Sequence, residues 1–155
     1  PSLDGITLFP NNYCIGEAEC ALGSILLDRL ENINKEKRSR ALDFIDTFKN
    51  FENAIEFHRV GSTRHNYHLL VARMKNGRRD EFIKKMAEEK KIKCVVQYYP
   101  LNRYDFYKKL GFSHAETPNA DLFFDNMVSF PFQHWMSNED FDYMKKSTLE
   151  ILKSF

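Results

Sequence analysis

Three clusters of residues in this chain have types and spacings that could do chemistry. The first is "PNNYC", where Asn11, Asn12 and Tyr13 stand just ahead of a long helical pattern. A helix entrance exposes unpaired backbone N–H groups, and an asparagine there either caps them or reaches outward to something bound. The second is "VVQYYPLNRYDFY", in which Gln97, Tyr98 and Tyr99 close an apolar run immediately before Pro100. That placement suits a loop lining a small-molecule cleft, although the same tyrosines could stack on bases or simply pack. The third is the pair His65 and His68. With His68 in a strand pattern, period-two alternation sends the two rings to opposite faces, and no third ligand is at hand. Structural histidines are expected there, not a metal site.

Other chemistries lack their residues. No serine sits in a G-x-S-x-G elbow, and the six glycines are too scattered to form a phosphate loop. Lys35, Lys37, Arg38 and Arg40 form a charge run within the long helix, expected to be a solvated face. Lysine and arginine number 23 against 22 acidic residues, which leaves no global field to gather nucleic acid or an anionic membrane. Cys14, Cys20 and Cys94 show neither zinc spacing nor the even count of a disulfide framework, and read as reduced cytosolic thiols. Apolar runs fall well short of the roughly 20 residues that span a bilayer, and no basic-then-apolar leader opens the chain. A cytoplasmic protein is expected, with neither membrane nor nucleic acid as partner. The abrupt start at Pro1 suggests that something precedes it.

The elements that must position these residues can be read from periodicity. From Ile15 to about Asn50 there is no proline, and Ile15, Ala18, Leu22, Leu26, Leu30, Ile33, Ala41, Ile45 and Phe48 recur at helical spacing. One long helix or two joined ones are expected, packing through Leu22 to Leu30 and Ala41 to Phe48, solvated around "ENINKEKRSRA", and projecting toward a partner surface. Strands are expected at "AIEFHRV", "NYHLLVARM" and "IKCVVQYYP". A helix in "KNGRRDEFIKKMAEEKK" should bury Phe82, Ile83, Met86 and Ala87. A short helix ends at Gly111, another covers "TPNADLFFDNMV", and "SFPF" is extended. A terminal helix is capped by Ser137 or Asn138, with Glu139 and Asp140 in its first turn. The sum is an α+β fold: a long N-terminal helix, then a small, mostly antiparallel sheet packed with helices. The single domain runs over residues 15–155, after an incoming segment over 1–14.

Four collinear segments carry a family resemblance. "NNYCIGEAECALGSILLDRLENINKEKRSRA" resembles the N-Y-R-M-x-E-x-Q-A-A-x-G-x-x-Q-L stretch that opens the C-terminal portion of DegT/DnrJ/StrS sugar aminotransferases. "NYHLLVARM" is similar to their Y-H-L strand, and "RRDEFIKKMAEEKKIKCVVQYYPL" to R-D-x-L-x-x-x-L-x-x-x-G-I-x-x-x-x-H-Y-x-P-L. "MVSFPFQHWMSNEDFDYM" resembles the closing L-S-L-P-x-x-P-x-L-x-x-x-D. Coverage is nearly complete from Asn11 onward.

The resemblance implies pyridoxal phosphate (PLP) chemistry on a nucleotide-linked keto-sugar in polysaccharide or lipopolysaccharide sugar biosynthesis. The amino group would come from glutamate, in a dimeric enzyme of the aspartate-aminotransferase fold (fold type I). It also implies that this chain is the small C-terminal domain. No lysine stands in the family's S-F-x-x-x-K setting, so the Schiff-base lysine would belong to an absent N-terminal domain, and no covalently bound cofactor and no transaminase activity are expected of this chain alone. Its partners would be that N-terminal domain and the homodimer mate.

Asn12 matches the asparagine that reaches across the dimer to the partner's PLP phosphate, and Tyr13 the adjacent aromatic residue. Gln97 falls where many members have histidine, Tyr98 matches their tyrosine, and Asn102 falls where a second histidine is common. These three would line the sugar end of the cleft. Three departures stand out: Cys14 for the arginine of N-Y-R, Lys91 for a glycine that would end its helix in a left-handed conformation, and Gln97 for a group that titrates near neutrality. The alternative reading is a non-catalytic module that binds a nucleotide-sugar or a partner chain on the same fold. An RNA-binding α+β module, recognised by strongly salt-dependent binding, is third.

Overall fold

The structure, a computed structural model, describes residues 14–58, 65–112 and 116–155. It divides into two units, Pro1–Ile33 and Asn34–Phe155. Among their described residues the elements, in chain order, are helix α1 (Glu17–Thr47), strands β1 (Ile55–Phe57) and β2 (Leu70–Met74), helices α2 (Arg79–Lys90), α3 (Asp105–Lys109) and α4 (Pro118–Asn126), strand β3 (Met127–Phe130) and helix α5 (Asn138–Lys153). Short 3-10 turns occupy Lys49–Phe51 and Leu101–Arg103. The long helix and the small antiparallel sheet expected from the sequence are both present.

In the first unit the described residues are the opening part of α1. Leu22, Ile25, Leu26, Leu27 and Leu30 are all exposed, Leu27 by 67%. The expectation that Leu22 to Leu30 pack is therefore corrected. Periodicity located the apolar side of the helix, but no other described residue of this unit lies outside that stretch of chain to cover it.

In the second unit the sheet order is β1-β2-β3, antiparallel throughout, with Ile55 opposite Met74 and Leu70 opposite Phe130. Along β2 the side chains alternate: Leu70, Ala72 and Met74 are buried, while Val71 and Arg73 are half-buried on the other face. Phe44 of α1 is completely buried at the centre of the core. Its ring centroid lies 4.8 Å from Phe48, 4.9 Å from Phe130, 5.9 Å from Phe57 and 6.0 Å from Phe141. Phe82 and Met86 of α2 close one side, and Phe141, Met144, Thr148, Ile151 and Leu152 of α5 another, at the i, i+3, i+4 spacing of a buried helix stripe. Ser137 caps α5 by accepting from the Asp140 N–H at 3.0 Å, as expected.

Four sequence readings need correction. "IKCVVQYYP" is no strand: Val95 alone pairs, in an isolated bridge with Ser129. The ladder stops on both sides because the Cys94 N–H turns back to the Ile92 carbonyl at 3.2 Å and the Gln97 N–H points to the Met127 sulfur at 3.3 Å. The helix expected through Val128 ends at Asn126, because Met127 to Phe130 pair with β2 and are all buried. His68 lies before β2, not within it: Tyr67 has a left-handed backbone (φ 47°), and the His68 N–H folds back onto the Asn66 side chain at 3.1 Å. Ala87, expected on the buried side of α2, is exposed.

Helix α2 ends where Lys91 takes φ 56°, ψ 27°, the left-handed conformation that a glycine would adopt without steric penalty. The Ile92 N–H then satisfies the Met86 carbonyl at 2.9 Å. Lys91→Gly is expected to raise unfolding stability by about 0.5–1 kcal/mol in urea titration. A variant no more stable than the parent would show that the Lys91 amine, which donates to the Glu88 carbonyl at 2.9 Å, already offsets the strain.

Candidate functional site

Beyond Lys91 the side chains alternate: Ile92 and Cys94 enter the core, while Lys93, Val95 and Gln97 face a cleft. The bridge between Val95 and Ser129, with N–H to carbonyl distances of 3.0 and 2.8 Å, fixes this segment against β3. Ser129, Phe132 and Gln133 line the facing side, and Lys37 of α1 with His68 closes one end. The cleft has a volume of about 360 Å³. Tyr98 stands at its rim, 71% exposed, after a cis peptide bond with Gln97. On the core side, burial pushes the Cys94 thiol up to about 12, leaving it inert.

Lys37 belongs to the charge run expected to be solvated, and that expectation is corrected at three of its four residues. The Lys37 amine donates to the His68 carbonyl at 3.2 Å and sits 5.4 Å from the centre of the Phe132 ring. Burial lowers its pKa from the ordinary lysine value. Arg38 donates to the His65 carbonyl at 3.0 Å, and Arg40 to the Met136 carbonyl at 2.6 Å and the Asn138 side chain at 3.1 Å. Lys35 remains exposed. The helical spacing that brings Lys37 and Arg40 onto the side of Ala41 and Phe44 was legible in the sequence, but the charge density of the stretch masked it.

Asn102 does not join Gln97 and Tyr98. It lines a separate, apolar cavity of about 520 Å³ with Pro100, Leu101, Tyr107, Phe112 and Thr117. Its amide donates to the Thr117 hydroxyl at 3.1 Å, which in turn donates to Asp121 at 3.1 Å. The adjacent Arg103 is the residue that organises this region. Its guanidinium takes Asp121 at 2.7 Å and Asp125 at 2.6 and 3.1 Å, and lies 5.3 Å from the Phe124 ring centre. That fork holds the Asp125 carboxyl below its usual range. Tyr99 packs edge-on against Tyr104 and Phe124, so it is an ordinary aromatic contact. Asn12 and Tyr13 lie outside the described residues.

His65 accepts the Tyr67 N–H at its Nδ1, 3.0 Å away, and its ring lies 4.8 Å from that of His58. Both His58 ring nitrogens and the Tyr67 hydroxyl are buried without a partner among the described residues. Among the described residues no three histidine, cysteine or acidic side chains converge in a way that could hold a metal, and no helix is long and apolar enough to cross a membrane.

This arrangement, a long helix followed by a three-stranded antiparallel sheet covered by helices, is the fold of a segment found in sugar aminotransferases. An aminotransferase from Helicobacter pylori, PseC, involved in the biosynthesis of pseudoaminic acid, superposes with a TM-score of 0.81 at 21% identity, over 96% of this chain and 40% of that one. An aminotransferase from Psychrobacter cryohalolentis superposes with a TM-score of 0.84 at 14% identity, over 96% and 41%. Residues 5–148 match the model of the DegT/DnrJ/EryC1/StrS aminotransferase family, and the chain belongs to that family. The UDP-4-amino-4,6-dideoxy-N-acetyl-beta-L-altrosamine transaminase of Campylobacter jejuni is 30% identical over 92% of this chain and 38% of its own length. The spore coat polysaccharide biosynthesis protein SpsC of Bacillus subtilis is 26% identical over 88% and 36%. The chain thus spans under two fifths of the length of these relatives.

The family depends in general on pyridoxal phosphate, and the described residues do not by themselves fit that cofactor. The Gln97 cleft contains no carboxylate to face a pyridine nitrogen, and of its two amines that of Lys37 is engaged with the His68 carbonyl. Sequence reasoning on the cleft missed Lys37, Lys93 and Gln133. The parity of "IKCVVQ", with Ile92 and Cys94 apolar and Lys93 and Gln97 polar, was the available signal for Lys93.

Proposed function

We propose that this chain is the C-terminal domain of a PLP-dependent nucleotide-sugar aminotransferase acting in polysaccharide or lipopolysaccharide sugar biosynthesis, in the cytoplasm. It would contribute dimer contacts and part of the substrate and cofactor cleft. The observation that carries this reading is the 30% identity to a nucleotide-sugar transaminase along 92% of the chain. The position of Gln97 and Tyr98 on one polar cleft supports it. Gln97 offers a sugar hydroxyl both a donor and an acceptor without titrating, so it orients substrate and does not move protons. Asn12 would donate its amide to the PLP phosphate of the dimer mate, beside Tyr13. Asn102, held by Thr117 in a cavity of its own, is not assigned to the sugar end that Gln97 and Tyr98 mark.

The test has two arms. Incubated alone with PLP and reduced with borohydride, the chain is expected to show only diffuse lysine labelling by peptide mass analysis. A single stoichiometrically labelled lysine would overturn the assignment of the Schiff-base lysine to another domain. Mixed with or joined to a lysine-bearing N-terminal domain of the family, it is expected to support glutamate-dependent amination of a nucleotide-linked keto-sugar. An assembled dimer that binds PLP yet transfers no amino group to any such sugar would sink the reading.

A further inference from the structure

We propose that Asn76 is a site of spontaneous covalent modification, at which the Gly77 backbone nitrogen closes on the Asn76 side chain to give a succinimide, and from it aspartate and isoaspartate. This turn, between β2 and α2, lies outside the residues that the transaminase reading uses.

Ring closure requires the backbone nitrogen of the next residue to reach the asparagine Cγ, and a Cβ on that residue obstructs the approach. Asn76 precedes glycine, whereas every other asparagine of the chain precedes a residue with a Cβ. Three exposed asparagines, Asn50, Asn53 and Asn76, line one cavity of about 270 Å³, and their following N–H groups differ. That of Phe51 donates to the Phe48 carbonyl at 2.9 Å, and that of Ala54 to the Phe51 carbonyl at 2.8 Å. Each must give up its bond before the nitrogen can lose its proton and attack. The Gly77 N–H donates to no described residue, so its nitrogen carries no such cost.

The turn itself is loosely closed. Asn76 has φ 60° and Gly77 φ 68°, the two left-handed residues of a type I′ turn. Its closing bond, from the Arg78 N–H to the Lys75 carbonyl, is 3.4 Å long, and the Asn76 amide reaches the Asn53 carbonyl at 3.4 Å as well, both at the far end of the hydrogen-bonding range. The space that a Cβ would fill at Gly77 is empty to 4 Å. An exposed turn held by two long bonds opens locally at small free-energy cost, which frees the side chain and the nitrogen to meet.

The steps balance without any redox partner. A solvent base takes the Gly77 amide proton, the nitrogen bonds to Asn76 Cγ, and the Cγ–Nδ2 bond breaks to release ammonia. One water then opens the ring. Attack at Cγ gives aspartate with the original main chain, while attack at the backbone carbonyl gives isoaspartate, whose main chain runs through Cβ and Cγ. Either product places a carboxylate in the cavity that Lys75 and Arg78 also line. Isoaspartate further lengthens the turn by one methylene and displaces Arg78, whose guanidinium donates to the Phe155 carbonyl at 3.1 Å and lies 4.6 Å from the centre of the Phe155 ring. The modification is thereby felt at the contact between the α2 entrance and the residues after α5.

The test incubates the full chain, folded and in urea, at neutral pH and physiological temperature. Digestion and mass spectrometry then follow each asparagine peptide, and isoaspartate is scored by methyl transfer from S-adenosylmethionine with an isoaspartyl methyltransferase. The Asn76 peptide is expected to gain about 1 Da, with isoaspartate as the major product. Its rate in the folded chain should lie within about tenfold of that in urea, while the folded Asn50 and Asn53 peptides convert at least about tenfold more slowly than Asn76. Gly77→Ala is expected to slow conversion at Asn76 by about tenfold or more, in urea as well as folded, so it stays informative even where the left-handed turn tolerates alanine poorly. An Asn76 that stays intact in the folded chain while the unfolded one converts, conversion of Asn50 or Asn53 as fast as Asn76, aspartate without isoaspartate, or a rate indifferent to Gly77→Ala would overturn the proposal.

Discussion

Phe44→Ala is expected to lower the stability of the folded chain by about 3–5 kcal/mol, a large share of the roughly 5–15 kcal/mol that holds a domain together. Phe44 is fully buried and, among the described residues, is the one ring in contact range of Phe48, Phe57, Phe130 and Phe141. It joins α1, both outer strands of the sheet and α5. Truncation removes the transfer free energy of the ring and leaves a cavity among side chains already packed in tilted and edge-on contacts, where inward collapse is hindered. The measurement is urea unfolding followed by near-ultraviolet circular dichroism. Phe106→Ala is the control, because that ring is 66% exposed and its loss should change stability by no more than about 0.5 kcal/mol. Equal losses for the two variants would refute Phe44 as the centre of the core.

The second large effect concerns pH. Among the described residues both ring nitrogens of His58 are buried without partners, and its pKa is lowered below the ordinary histidine value, first by desolvation and then by the nearby His65. Arg38, which donates to the His65 carbonyl, adds a fixed positive charge on the α1 side, while Asp46, Lys49, Glu52, Glu56 and Lys75 line the cavity that His58 borders. A histidine whose folded pKa lies below its unfolded one binds fewer protons when folded. Its stabilising contribution is therefore complete above the unfolded value, near 6.5, and is lost as pH falls from there toward the folded value. Stability is expected to decline between pH 7 and pH 5 with a slope from this group of at most about 1.4 kcal/mol per unit. His58→Phe keeps a ring beside His65 and removes the titration, so its stability profile should be flatter and should lie above the parent's at pH 5. Parallel profiles for parent and variant would rule His58 out as the source.

Much of the fold was legible because periodicity reports which side of an element is apolar. The terminal helix with its Ser137 cap, the strand that became β2 and the buried Phe82 and Met86 of α2 all followed from the sequence pattern. What covers an apolar side is a separate matter, and Leu22 to Leu30 show the difference: their spacing is helical, yet they are exposed. Pairing was less legible than facing. Residues 92–97 alternate between core and cleft as a strand would, but whether Val95 continues into a ladder depended on where the Cys94 and Gln97 N–H groups go, and those bonds are set by a neighbouring carbonyl and a methionine sulfur. At the candidate site, Gln97 and Tyr98 were found from their place before Pro100, whereas Lys37 was hidden in a charge run whose roles only the tertiary contacts to His68 and Phe132 separate.

The left-handed Lys91 has a consequence for how this region can vary. It resets the chain after α2, and from that point a strict count decides which side chains enter the core and which enter the cleft. Removing one residue, Ile92, would carry Lys93 into the core and present Cys94, Val96 and Tyr98 to the cleft, leaving it with Lys37 but without Lys93 and Gln97 although neither had been substituted. Point substitutions at Lys93 or Gln97 are therefore graded changes, while a length change between 91 and 97 is all-or-none. The cleft's chemistry is stored as an even-odd parity, and this short segment should keep its length under pressures that leave its residue identities free to drift.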